Sequence, residues 1–118
     1  RASRTAADEP VEQALLAFQA HLRPIRRHIG YRTAGEVLAW VDHARQTLGE
    51  SSPSPALIDQ ALFSKVLPRL RGGESAPLRA ALEALIAEAK ARSLPVCVEK
   101  LALMQQRLAD TGVTGFWA

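Results

Sequence analysis

"SAPLRAALEALIAEAKAR", residues 75–92, sets the fold class. Leu78, Leu82, Leu85, Ile86 and Ala89 recur at three- and four-residue intervals, so a helix turns them all inward. Arg79/Glu83 and Glu88/Arg92 then fall at i, i+4 on the outer face, where opposite charges support the helix. Ser75 offers a hydroxyl oxygen to the free N–H groups at the helix start. Gly72-Gly73 before this segment and Leu94-Pro95 after it break the chain on both sides.

The same period continues in both directions. Upstream, Ser54-Pro55 opens a helix with Ser as N-cap and Pro at the first helical position. Leu57, Ile58, Ala61, Leu62 and Val66 form its buried side, and Pro68 in "FSKVLPRLRGG" ends or kinks it. Before it, Thr33-Ala-Gly-Glu36 has the spacing of a capping box and predicts a helix start at Thr33. Leu38, Val41, Arg45 and Leu48 follow along one side, with Val37 and Ala44 beside them and Trp40 off the centre. Gly49 and "ESSPSP" stop that helix. The first helix starts near Pro10 and aligns Val11, Leu15, Phe18 and Leu22 before Pro24 ends it. Downstream, Cys97, Leu101, Met104 and Leu108 share one stripe, Gly112 suits a left-handed helix end, and the aromatic pair Phe116-Trp117 closes the chain.

Five helices with short connectors predict an all-α compact bundle, with at most one short strand, in the non-periodic Ile25–Arg32 connector before the second helix. Residues 1–8 read as a flexible lead-in and 9–118 as a single helical domain. A chain of 118 residues exceeds the ~40 below which disulfides or metals are usually needed. The balance of 47% hydrophobic and 23% charged residues is that of a globular domain. No apolar run approaches the ~18 residues of a membrane span, and no secretory signal pattern is present. One cysteine excludes an intramolecular disulfide, and a reducing cytoplasm is the expected compartment. A chain opening on Arg1 is expected to be a fragment of a larger protein.

Charge distribution carries more information than net charge. Fifteen basic against twelve acidic side chains leave +3, too small a surplus to indicate nucleic acid by itself. Arg23, Arg26, Arg27, His28 and Arg32, however, fall in ten consecutive residues without an acid. Such a run is either a solvated basic face or an anion site. Catalytic patterns are lacking: "RGGES" has neither the spacing nor the lysine of a phosphate loop and reads as a turn. His21, His28 and His43 make no HExxH, so no metal site is expected. Cys97 reads as a small core side chain, and Asp59 and Glu83 as surface acids.

Three stretches in register carry a family resemblance. "IGYRTAGEVLAWV", "LIDQALFSKVLPRLRGG" and "VEKLALMQQRLADTGVTGFW" resemble the C-terminal region of McrB-like AAA+ NTPases, the motor subunits of methyl-directed restriction systems. The matching residues are Gly30-Tyr31-Arg32, then Asp59 with Lys65 to Gly72, then Gly112 to Trp117, with Val113 standing where that family tends to carry an aromatic. The resemblance implies an AAA+ lid following a separate P-loop core. It also implies that Arg32 is a sensor 2 arginine, with Tyr31 and Gly30 beside the nucleotide phosphates. Arg26, Arg27 and His28 would line the same cleft or meet a neighbouring subunit. ATP or GTP with Mg would belong to the parent protein only, so the chain alone is expected to be no enzyme.

Expected partners are the upstream core, neighbouring subunits of a homo-oligomeric ring, a nuclease subunit, and DNA only indirectly, with no membrane. Phe116, Trp117 and Trp40 are the expected interface anchors. Two alternatives stay open on the residues alone: a helical nucleic-acid-binding module using the arginine-rich connector, and a protein-interaction module using the three aromatics.

Overall fold

The computed structural model describes residues 6–117. A 3₁₀ turn, Ala6–Asp8, leads into α1 (Glu9–Leu22), and a second, Arg23–Ile25, ends it. Then come α2 (Tyr31–Thr47), α3 (Pro55–Lys65), a 3₁₀ turn Leu67–Arg69, β1 (Arg71–Gly73), α4 (Ala76–Ala91), α5 (Pro95–Thr111) and β2 (Val113–Gly115). The described residues form an all-α bundle of five helices. α4 packs on α5, α5 on α3, α3 on α2, and α1 bridges α2 and α4.

The stripes of α1, α4 and α5 meet in one core containing Phe18, Leu22, Leu82, Leu85, Leu101 and Met104, all essentially without solvent contact. The α2 stripe is rotated from its expected face: Thr33, Val37 and Val41 are buried, Leu38 is only partly so, and Leu48 is exposed. One buried position per turn is enough for α2, which covers one side of the bundle.

Several local expectations are corrected. The connector before α2, where at most one short strand is expected, holds none among the described residues: Arg23–Ile25 are 3₁₀ and α2 already begins at Tyr31. The sheet is instead a three-residue antiparallel ribbon, with Arg71 opposite Gly115 and Gly73 opposite Val113. Of the expected lead-in, Asp8 is buried, and residues 1–5 lie outside the described residues. Arg79 pairs with Glu74 at 2.6 Å rather than with Glu83.

Helix ends follow local chemistry. Ser54 and Ser75 accept from Leu57 and Leu78 N–H as caps of α3 and α4. Gly112, at φ 80°, takes the left-handed position that ends α5 and turns the chain into β2. Arg26 and Ser93 occupy the same left-handed region with side chains that disfavour it. α5 has no cap of its own and borrows one: Asp59 of α3 accepts from Val96 N–H at 2.8 Å and Cys97 N–H at 2.9 Å. Asp59 is therefore a buried structural acid and not a surface one.

Candidate functional site

The start of α2 departs from the capping-box expectation. Gly30 is the N-cap residue and has no side chain to offer, while Ala34 N–H donates to its carbonyl at 3.0 Å. The Thr33 hydroxyl is buried and accepts instead from the Arg69 guanidinium, which comes from the 3₁₀ turn after α3. Glu36 faces outward between Arg32 and Lys65, at 3.9 and 3.8 Å. The first turn of α2 thus contains no acid and no side-chain cap. Tyr31 is fully exposed and the Arg32 side chain is 95% exposed. A cation at this position opposes the positive end of the helix dipole, which favours anions by about 0.3–1 kcal/mol.

The rest of the basic run is built differently. Arg26 N–H bonds to Arg23 O and Arg27 N–H to Leu22 O, a helix-end motif that fixes Arg26 at φ 58°. Gln19, on α1, braces the connector. Its side-chain oxygen accepts from Ile29 N–H at 2.5 Å and its amide donates to Arg27 O at 3.5 Å. Arg27 is half-buried and donates to Arg71 O at 3.1 Å, tying the connector to β1. It is not the freely solvated side chain that a basic-face reading supposes. The result is a cleft of about 410 Å³ lined by Arg26, Arg27, His28, Pro68, Arg69 and Arg71. Arg32, Tyr31 and Gly30 do not line it.

With both features in place, the comparison with known families can be set beside them. A family described as a domain of unknown function, DUF8727, matches residues 2–113. The chain belongs to DUF8727. No curated protein and no solved structure matches it. The DUF8727 match takes in the α2 start and the whole basic cleft, and ends before Thr114–Trp117.

The aromatic residues of this DUF8727 domain separate into two kinds. Phe116 is buried, stacked edge-on to Phe63 at 5.1 Å with Lys100 Nζ 4.4 Å from its ring centre. It is a core side chain and not a free anchor, because the β1–β2 ribbon folds the tail back on the helices. The Thr114 hydroxyl secures that fold by donating to Met104 O at 2.8 Å. Trp117 is 84% exposed and touches Phe116, and Trp40 is 38% exposed. Cys97 is buried, and burial pushes its thiol far up, with Asp59 adding to the effect. Among the described residues, no three His, Cys, Asp or Glu side chains converge as a metal site. No described helix is long and apolar enough to cross a membrane.

Away from the cleft, Glu88 accepts from His21 at 3.0 Å and from Arg92 at 2.8 Å. The His21 hydrogen bond, opposed by burial and aided by Arg92, holds the Glu88 carboxyl below its usual 4.5. A lowered folded-state value means stability that is present above the unfolded value and lost as pH falls through the folded one. Thermal unfolding followed downward from about pH 6 should therefore show the protein losing stability below 4.5 more steeply than Glu88→Gln. Parallel profiles for the two proteins would show that the trio contributes nothing.

Proposed function

We propose that this domain is the helical lid of a McrB-like AAA+ NTPase, acting in the cytoplasm and presenting Arg32 to the terminal phosphate of ATP or GTP held by a separate P-loop core. The observation that carries the reading is the α2 start. A helix N-terminus without a side-chain cap and an outstretched guanidinium, held only by a long 3.9 Å pairing with exposed Glu36, lie side by side, and an incoming anion would satisfy both.

The three stretches on which the resemblance rests support it further, because they form one connected unit. Arg69 binds Thr33, Lys65 approaches Glu36, and β1 pairs with β2. Such a unit can transmit a force on Arg32 to the tail, where Trp117 stands exposed for contact with a neighbouring subunit. The nucleotide's own chemistry, with its Mg, belongs to the core. This chain supplies a phosphate-binding guanidinium and a rigid body that closes.

The test uses the protein in which this domain accompanies its P-loop core. Arg32→Ala should weaken binding of a non-hydrolysable nucleoside triphosphate by about tenfold, the worth of one charge-assisted hydrogen bond, and leave the diphosphate unaffected. Equal losses for both nucleotides would place Arg32 away from the terminal phosphate and reject the reading.

A further inference from the structure

The cleft beside the connector is a second basic feature, separate from Arg32. It gathers the side chains of Arg26, Arg27, Arg69 and Arg71 with His28, and none of its lining residues is acidic. Two of these arginines are anchored: Arg27 to Arg71 O and Arg69 to Thr33. The Arg27 Nε is nevertheless enclosed without a hydrogen-bond partner. Arg26 and Arg71 are exposed, and Arg26 is held in the left-handed conformation that the connector imposes. Four guanidinium groups drawn together repel one another, and a bound polyanion would turn that repulsion into attraction.

Shape indicates what kind of anion fits. The cleft continues into a second of about 230 Å³ that shares Arg26, Arg27 and Arg71 and runs on past Gly72, Gly73 and Ser75. No acid lines this extension either. The extension adds no cation of its own, so the charge gathers in the first cleft and at the junction, and the furrow stays open on either side. An open furrow lets a chain carry its neighbouring phosphates past the arginines, which an enclosed pocket for one compact phosphate group would not. Neither lining includes a Phe, Tyr or Trp side chain, so the large ring platforms on which bases stack best are lacking there.

We propose that this furrow binds the phosphodiester backbone of a nucleic-acid strand, without reading its bases. The site stands independently of the lid reading, since neither Arg32 nor a bound nucleotide takes part in it.

Fluorescence anisotropy of the 118-residue chain with labelled single-stranded DNA tests it. A strand of ~30 nucleotides should bind more tightly than one of ~10, because more phosphates reach the furrow. Arg71→Gln should weaken binding about tenfold at ~50 mM salt and flatten the dependence of log affinity on log salt by about 0.7. Arg26→Asn, with a side chain that tolerates the left-handed backbone, should act similarly, and circular dichroism should show both variants folded. Lys90→Gln removes the same charge from α4, outside the furrow, and should change affinity less than about twofold.

Three results would each overturn the proposal. One is absence of binding by the folded chain. Another is a loss with Lys90→Gln equal to that with Arg71→Gln, which would mean diffuse attraction. The third is tripolyphosphate competing at the strand's own affinity while both strand lengths bind alike, which would mean a compact polyphosphate pocket.

Discussion

Asp59→Ala should destabilise the domain by about 3 kcal/mol, shifting the folding equilibrium by about 10²-fold. The carboxylate is 2% exposed and accepts from two N–H groups at the first turn of α5, whose own N-cap residue, Leu94, offers no side-chain acceptor. Removing it strands the buried Cys97 N–H, takes the acceptor from the Val96 N–H, and removes a negative charge from a helix N-terminus. The damage reaches further than one helix end, because α5 packs against both α3 and α4 and leads into β2. Asp59→Asn keeps one acceptor oxygen and should lose about half as much. Glu83→Ala, on the exposed face of α4, should stay within about 0.5 kcal/mol. Urea unfolding midpoints at unchanged slope measure all three. A loss below about 1 kcal/mol for Asp59→Ala would show that water replaces the carboxylate at α5.

Asp59 also illustrates what a sequence conceals. Its partners lie 37 and 38 residues away, so nothing near it in the chain distinguishes it from a surface acid. Thr33 is the opposite case. Its spacing from Glu36 is a true local signal for a capping box, but Arg69 comes in from 36 residues away and takes the hydroxyl, and the N-cap lies three residues earlier, at Gly30. The helices themselves were legible wherever one apolar face serves one core, as in Val11, Leu15, Phe18 and Leu22, because the period is local and burial follows it. The ribbon was not. "RGG" and "VTG" have no alternation to read, and their pairing is set by where α3 and α5 end.

The candidate sites divide along the same line. Arg26, Arg27 and His28 are visible as a run, whereas Arg69 and Arg71 join them only through the fold. The signal available beforehand was the acid-free "RLR" following Pro68, which pattern reading assigns to a helix break. Arg27 carries a second lesson: the run alone leaves it either a solvated charge or part of an anion site, whereas the fold also makes it the fastening of the connector to β1. Substituting it would disturb the cleft's geometry along with its charge.

The central claim, that Arg32 acts on a phosphate outside this domain, is tested most directly by steady-state nucleotide turnover in the protein that joins the domain to its P-loop core. The Arg32 side chain is 95% exposed and its ion pair with Glu36 is long, 3.9 Å, so Arg32→Ala should leave helicity and unfolding temperature unchanged. Turnover should fall about 10²-fold, the usual effect of removing one preorganised donor from developing charge. Arg32→Lys should recover little, because an ammonium lacks the two parallel N–H bonds of a guanidinium. Lys90→Gln provides the matched change of charge and should leave turnover as it was. Turnover that survives Arg32→Ala, or falls no further than with Lys90→Gln, would contradict the account.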